Sequence, residues 1–575
     1  MRIRREWLDR THAPVLELTR HFFTGLFRSE SFAGEDSFTP LFVQVLALLI
    51  AASWYIPVQL FGRYVQLNGL EDGYLYHLAY SMDTLWMILA MSILVTLAAV
   101  FQWPSLFPSQ RDHFVLSPLP LTRTQIFGGK LLALFVFFAL CVVAITFLSS
   151  VVFPMITNGR WETRPYLLRA AALLTGTTSC AAFMVFAAIA MQGILLAILP
   201  VRWFRATSFS IQIALLLLIL CTAPVLPYFP TRQLVEGRSH WLNLIPPAWF
   251  WGWNEQLLGI SNSATVALAL RAKIALPTAL VLACGTYLIS YLRYTRQAME
   301  STKKQRRSLI VPGEWISKMF SLPQARAVSS FLLNTLLRGR RQKLIFFLIA
   351  GVGLALVIEN SVYLVLSGIY RPRDFPGAVR SAVLSLPLTL SFFTMVALRR
   401  VFRIPADLPA NWIFRFSESS ATRPAQLDAV FTTFLTFGGA IPLMLSIPVE
   451  LVTFGAKAIL AVGCQAALIA TLGQYLMIDW RSIPFTFAEG APRKQLVHSL
   501  TLHFVELAIF AFMGAAWTNS ALGSPRALAF LVLATITAFA LCYRRRSEEW
   551  GNEPLDFADA PPQVIESLNL NGCSL

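Results

Sequence analysis

Long apolar runs alternate with short polar segments along most of the chain. The runs are about 17–25 residues long, which is the length that an α-helix needs to cross a hydrocarbon core of roughly 30 Å. They predict an all-α polytopic membrane protein. The twelve predicted spans are residues 41–61, 84–103, 130–153, 170–199, 208–227, 274–292, 344–364, 381–398, 427–448, 456–477, 496–517 and 526–542.

The composition agrees with the apolar pattern. Of the 575 residues, 56% are hydrophobic and only 13% are charged. A soluble domain carries about 25% charged residues, so this chain has too few charges to cover the surface of a soluble protein. The first forty residues lack the apolar core of a cleavable signal peptide, so we expect insertion to begin at the first span.

The net charge of +17 predicts membrane topology rather than binding to nucleic acid. With the N-terminus in the cytoplasm, the segments predicted inside hold 34 Lys and Arg and those predicted outside hold 13. Cytoplasmic loops collect these residues. The contrast predicts a multi-pass protein with both termini in the cytoplasm, and we expect the membrane to be the bacterial inner membrane.

The polar stretch 293–343 separates two groups of six spans. The predicted regions are an amphipathic cytoplasmic segment 1–40, a first half 41–292, a basic cytoplasmic linker 293–343, a second half 344–542 and a cytoplasmic tail 543–575. Because an even number of spans separates the halves, they would be parallel repeats. Six identities in sixteen positions between Lys130–Ile145 and Gln426–Ile441 favour a duplication.

The inside loop before the third span carries a helix-start signal. Pro118 and Pro120 stop any helix that continues from the second span. Thr122 can cap a new helix, and Gln125 completes the pattern of a capping box. We expect a short cytoplasmic helix directly under the third span.

This loop resembles the cytoplasmic coupling element of ABC-2-type transporter permeases. In that family an acidic residue, a Leu-x-x-Leu-Pro turn and a Lys opening the next span recur, and here the matching positions are Asp112, Pro118, Pro120, Arg123 and Lys130. In the second half only the layout matches. The corresponding loop position there holds Asn411, Trp412 and Arg415.

The resemblance extends to the outside loop between the fifth and sixth spans. The segment that begins at Pro246 looks like the extracellular re-entrant or interfacial helix of the family, and it implies an outer gate at Trp249, Phe250 and Gly252. Its aromatic rings suit the headgroup region of the membrane. The stretch from Leu16 to Phe27 looks like the family's N-terminal connecting helix.

The resemblance implies that the chain is the permease subunit of an ATP-binding-cassette transporter, an exporter of an unidentified substrate. The chain has no GxxxxGK[ST] motif, so we expect it to bind no cofactor itself and not to be an enzyme. ATP would act through a separate ABC ATPase subunit, with two copies for the two halves. Closure of the ATPase pair would rock one half against the other.

Ionisable residues inside the spans leave alternatives open. Glu359 lies in the seventh span, and Glu506 lies in the eleventh with His503 one turn away. Such groups are costly at membrane depth and suggest function. They favour either an ion-coupled secondary transporter using Glu506 and His503 or a structural hydrogen bond. A membrane-embedded transferase that acts on lipid-linked substrates and a non-catalytic assembly subunit are further alternatives, and no spacing predicts a metal site.

Overall fold

The computed structural model describes residues 15–26, 38–71, 73–106, 121–228, 231–235, 244–260, 262–300, 320–370, 375–406, 411–486, 505–552 and 554–557. Within these ranges the chain is helical and contains no β-strand. It divides into two units, Met1–Gln305 and Arg306–Leu575. Each unit has its own hydrophobic core.

Unit 1 contains nine labelled helices. They are α1 (residues 15–26), α2 (Phe38–Val58), α3 (Phe61–Asn68), α4 (Gly73–Phe101), α5 (Arg123–Ile156), α6 (Tyr166–Ile198), α7 (Val201–Thr222), α8 (Pro246–Leu257) and α9 (Ser263–Glu300).

Unit 2 contains eight labelled helices. They are α10 (Pro323–Arg338), α11 (Arg340–Tyr370), α12 (Phe375–Phe402), α13 (Arg423–Leu435), α14 (Ile441–Phe454), α15 (Ala458–Leu476), α16 (Gly514–Gly523) and α17 (Pro525–Asn552). A one-turn helix, Trp412–Ser417, lies between α12 and α13, and π-helical turns lie at Thr436–Ala440 and Ala508–Met513.

Ten helical segments of the described chain are long and apolar enough to cross a membrane. This finding confirms a multi-pass helical membrane protein, whereas the count of twelve spans stays a prediction. Two predicted spans, 427–448 and 456–477, fall within one apolar segment, Arg423–Leu476, because the Gly455 turn that divides it contains few polar residues. The predicted span 208–227 corresponds to a shorter apolar helix, Ala206–Thr222.

The predicted capping box at the start of α5 is confirmed. The Thr122 hydroxyl accepts a hydrogen bond from the backbone N–H of Gln125 at 3.3 Å, and the Gln125 side chain accepts one from the backbone N–H of Thr122 at 2.9 Å. The expectation of a separate short helix is wrong, since α5 runs without a break to Ile156. The capped turns are therefore the first turns of the third span itself.

Helix α1 packs against these first turns of α5. Leu18 and Phe22 form a buried cluster with Ala133, and the Lys130 ammonium lies 5.2 Å from the centre of the Phe22 ring. Gly129 permits the close approach, because a Cβ atom there would lie 2.8 Å from the Cβ of Leu18. We call this part of unit 1, where α1 meets the start of α5, the capped end.

Unit 2 also opens with a helix packed on its third span. Helix α10 contacts α13, and its Val328 and Leu332 are buried in the unit 2 core. The boundaries of the predicted linker 293–343 therefore need correction. The described residues 293–300 extend α9, and residues 323–338 form a core helix because their apolar positions recur with helical spacing.

A proline explains the first π-helical turn of unit 2. Pro442 has no backbone N–H, so the carbonyl of Gly438 four residues earlier loses its usual helical partner. The Thr394 hydroxyl of α12 donates a hydrogen bond to that carbonyl at 2.5 Å. A neighbouring helix thus satisfies the backbone group, as a membrane interior requires.

The packing at the capped end predicts different effects for two adjacent glycines. A Cβ at Gly129 would collide with α1, whereas a Cβ at Gly128 would meet nothing within 4 Å. Gly129→Ala should therefore loosen α1 and speed tryptic cleavage after the exposed Arg20 severalfold. Gly128→Ala gains about 1 kcal/mol of helix propensity and should leave cleavage unchanged or slower. Equal cleavage rates in the two variants would contradict this packing.

Candidate functional site

Helix α8 enters the core of unit 1 although it is too short to cross a membrane. Its 12 residues span about 18 Å, compared with a hydrocarbon thickness of roughly 30 Å. It begins at Pro246, whose fixed φ and missing N–H suit the first position of a helix. The helix contacts α4, α6 and α9.

The residues predicted as an outer gate lie on this helix and face inward. Phe250 is fully buried, Trp249 is half-buried, and Gly252 lies against α9, where a Cβ atom would come within 2.5 Å of the Cβ of Leu268. The neighbouring Trp251 is also buried. The structure therefore places much of the aromatic segment inside the helical bundle rather than on a surface that faces headgroups.

Glu255 is a buried carboxylate on α8. It is 1% exposed, and the Ser81 hydroxyl of α4 donates to both of its oxygens at 3.2 Å. The indole N–H of Trp251 donates to the backbone carbonyl of Ser81 at 3.1 Å, which ties α8 to α4. Among the described residues no Lys or Arg forms an ion pair with Glu255. Burial raises the pKa of Glu255 to about 7.

The adjacent Asn254 is buried without hydrogen-bond partners for its side chain. It is 1% exposed, and neither its amide nitrogen nor its oxygen is bonded. Gly176 of α6 leaves the space for it, since a Cβ at Gly176 would lie 3.2 Å from the Cβ of Asn254. A buried amide without partners costs on the order of 1–3 kcal/mol. The other contacts of α8 therefore have to offset the unfavourable burial of Asn254.

A second carboxylate, Asp83 of α4, is fully paired. Arg63 of α3 donates to one oxygen at 2.6 Å and the Tyr64 hydroxyl donates to the other at 2.9 Å. Tyr64 is fully buried, and its ring makes edge contacts with Tyr76 and Phe153. The ion pair therefore joins α3 to α4 beside the end of α5.

Arg169 of α6 hydrogen-bonds the residues that follow the end of α5. It is fully buried and donates to the carbonyl of Thr157 at 3.2 Å, to the Thr157 hydroxyl at 3.0 Å and to the side-chain oxygen of Asn158 at 3.0 Å. The Tyr76 hydroxyl donates to the same Thr157 carbonyl. A cation here satisfies carbonyl groups at the C-terminal end of α5 and complements its helix dipole.

These groups form one cluster at the end of unit 1 where α5 finishes and α6 begins. We call it the polar cluster, and its members are Arg63, Tyr64, Tyr76, Ser81, Asp83, Thr157, Arg169, Asn254 and Glu255. The cluster can hold charge, exchange protons and fix the position of α8.

The sequence interpretation missed most of this cluster. Asp83 and Arg169 each precede a predicted span by one residue, so they fell in segments interpreted as loops. Glu255 was not predicted as a site residue, because the outer gate was assigned to Trp249, Phe250 and Gly252 of the same helix. The available signal was a charged residue inside an otherwise apolar, proline-initiated stretch.

The predicted coupling residues of unit 1 are only partly described. Asp112, Pro118 and Pro120 lie outside the described residues, as does His503 of unit 2. Arg123 is the first residue of α5. Lys130 is buried against Phe22 of α1, which makes it part of the packing at the capped end.

In unit 2 the predicted coupling residues lie on or beside the one-turn helix. The buried Asn411 side chain donates to the carbonyl of Thr486 at 2.7 Å. Trp412 and Phe416 are 65% and 89% exposed, so this helix presents a bare apolar face. Arg415 donates to the carbonyl of Phe557 at 3.4 Å.

That last contact belongs to a strap formed by residues 554–557. The backbone N–H of Leu555 donates to Glu418 at 2.9 Å, and that of Asp556 donates to the carbonyl of Arg481 at 2.8 Å. Leu555 is buried in the unit 2 core. The sequence predicted a cytoplasmic tail from residue 543 that is exposed from Glu548 onward, whereas residues 543–552 continue α17 and the strap packs on unit 2.

The intramembrane acidic residues of unit 2 have separate surroundings. Glu506 accepts a hydrogen bond from the Tyr475 hydroxyl at 3.0 Å. Glu359 is half-buried, and its neighbour Asn360 donates to Ser385 at 3.3 Å. Glu450 at the end of α14 is fully buried and receives one long hydrogen bond, 3.5 Å, from Ser446.

In the part of the chain that the structure describes, no three His, Cys, Asp or Glu side chains are grouped to hold a metal ion. No family model, no curated protein and no solved structure matches the chain.

The contacts of Asp83 predict a graded loss of stability. Asp83→Asn removes the charge and keeps an acceptor for Tyr64. Asp83→Leu leaves the buried Tyr64 hydroxyl without an acceptor and should lower the free energy of unfolding by about a further 1–3 kcal/mol. Adding Tyr64→Phe to Asp83→Leu removes both partners and should recover part of the loss. Unfolding of the purified protein in detergent measures the series. Equal stability of Asp83→Asn and Asp83→Leu would contradict the assigned hydrogen bond.

Proposed function

We propose that this chain is the permease subunit of an ATP-driven transporter, similar to ABC-2-type permeases, and that its ATPase is a separate subunit. One observation carries the proposal. In each unit an opening helix packs on the start of the third span, α1 on α5 and α10 on α13. Two such supported span starts offer two places at which a pair of ATPases can push.

The order of elements in the two units supports a repeat. Each unit has an opening helix, two long helices, a connecting segment and then further apolar helices. The matched blocks agree in part, since Ala133 and Ala429 are both buried, as are Phe138 and Phe434. Leu131 and Leu427 differ, because the first is exposed and the second is buried.

The long helices of unit 1 provide the route from coupling to gate. Helix α5 runs from the capped end to the polar cluster, and its 34 residues extend about 50 Å. A push at Thr122–Lys130 would therefore be carried along one continuous helix, which has Pro154 in its last turn, to Thr157 and its partner Arg169. Under the predicted topology the capped end is cytoplasmic and the polar cluster is external, which suits a gate formed by α8.

In unit 2 the one-turn helix supplies a surface for the ATPase. Trp412, Ile413 and Phe416 are exposed, and Arg415 lies beside them. Aromatic and Arg side chains dominate the binding energy of protein interfaces. The strap contacts this helix at Arg415 and the residue after its end at Glu418.

The test is purification of the tagged chain from its native membranes in mild detergent. We expect a partner with a Walker A motif and ATP hydrolysis in the purified material. Trp412→Ala and Asp112→Ala should lower the co-purified hydrolysis about tenfold, the effect of losing roughly 1.4 kcal/mol of binding energy. The control is Glu506→Gln, which changes a span rather than a loop and should have no effect.

A second candidate function is ion-coupled transport without an ATPase. The observation that favours it is the presence of two buried carboxylates, Glu255 and Glu450, neither ion-paired within the described chain. It predicts the reverse pattern, in which Glu506→Gln abolishes transport and Asp112→Ala has little effect. Absence of any ATP-hydrolysing partner would contradict the first proposal and favour this one.

A further inference from the structure

Glu255 differs from Asp83, the other acidic residue of the polar cluster, in how its charge is balanced. Asp83 has a guanidinium at 2.6 Å, whereas the hydrogen bonds of Glu255 come from neutral groups, the Ser81 hydroxyl at 3.2 Å and the Trp251 indole. A carboxylate without a cation is costly in an apolar environment, and a neutral carboxyl group is far less so. The two donors favour the ionised form, but burial outweighs them, so proton uptake lowers the cost of holding Glu255 in the core.

The charged and titratable groups of the elements around α8 leave this conclusion intact. Those with described side chains are Tyr74, Tyr76, His77, Tyr80 and Asp83 of α4, Glu162 and Arg164 before α6, Tyr166, Arg169 and Cys180 of α6, and Arg271, Lys273, Cys284 and Tyr287 of α9. Asp83 is paired with Arg63, Arg169 bonds the end of α5, and Lys273 donates to Gln256 at 3.0 Å. Arg164 attracts the Glu255 carboxylate, but its effect is smaller than that of burial.

The unsatisfied Asn254 next to it indicates how α8 would respond to ionisation. Both groups lie on a helix of 12 residues that is held largely by packing and by the links through Ser81 and Trp251. Movement of α8 toward water would solvate the Glu255 charge and give the Asn254 amide its missing partners. Ionisation and solvation therefore favour the same displacement.

We propose that Glu255 is a proton-binding site, that its neutral form keeps α8 seated in unit 1 and that its ionised form releases α8. The proposal deepens the proposed function by assigning the gate a proton switch. It needs no nucleotide and no partner subunit. In the seated state the proton resides on the carboxyl group, and in the released state it has passed to water.

Native Cys180 reports the position of α8. It is buried one helical turn after Gly176, and therefore lies on the face of α6 that meets α8. Release of α8 would expose this thiol. Maleimide labelling of Cys180 in the purified chain, mapped by peptide mass spectrometry, measures that exposure. Dividing each rate by the rate in Glu255→Gln at the same pH removes the intrinsic pH dependence of thiol chemistry.

For the wild type, we expect the Cys180 labelling rate divided by that of Glu255→Gln to be near one below pH 7 and to rise with pH. The rise can reach about tenfold per pH unit, the limit set by release of one proton. Glu255→Gln resembles the protonated carboxyl group and should keep Cys180 protected throughout. Glu71→Gln, which removes an exposed carboxylate from the loop before α4, should behave as the wild type does.

A second variant keeps Glu255 and changes only its hydrogen bond. The Ser81 hydroxyl stabilises the ionised carboxylate, so Ser81→Ala should move the labelling transition to higher pH. The ratio of the wild-type labelling rate to the Ser81→Ala rate at each pH also cancels the thiol chemistry, so this shift tests the proposal even if Glu255→Gln fails to fold. Identical pH profiles for wild type, Ser81→Ala and Glu255→Gln would overturn the proton site, as would a profile abolished by Glu71→Gln. Because the assay contains no ATPase, its failure leaves the permease proposal standing.

Discussion

Unit 1 depends on the rule that polar groups within a membrane must find partners inside the protein. Helix α8 is too short to cross the bilayer, yet it lies among spanning helices and carries Asn254 and Glu255. Its position is set by the Ser81 hydroxyl, the Trp251 indole and the close contact of Gly252 with α9. The remaining members of the polar cluster satisfy the helix ends around it.

The two ends of unit 1 are built in different ways. At the capped end, apolar packing of α1 and the Thr122 cap fix the start of α5. At the other end, the Arg63–Asp83 ion pair and buried hydrogen bonds hold the helices, and the Glu255 carboxylate has no ion-pair partner among the described residues. Apolar packing is insensitive to pH, whereas the second kind of contact responds to proton uptake. The proposed mechanical input at one end and the proposed titratable gate at the other are based on this difference.

Repeated patterns in the sequence predicted the helical fold class correctly. Structure that depends on single side chains was not predicted. The apolar runs predicted a helical membrane protein, and Thr122 with Gln125 predicted the start of α5. Asp83 and Arg169 were missed because a hydropathy window places charged residues at span ends in loops. The partners Arg63, Tyr64 and Thr157 come from other helices, so no local pattern reveals them. The strap was missed for the same reason, since Leu555 is a core residue only through distant contacts.

The most direct test of the account is amide hydrogen exchange of α8 in the full chain at pH 6. If α8 lies in the core of a lipid-embedded bundle, the amides of Phe250–Leu257 should exchange as slowly as those in the middle of α6. Exchange of α8 as fast as that of the non-helical loop Gly159–Arg164 would contradict the account. The buried carboxylate and the gate would then lose their structural basis.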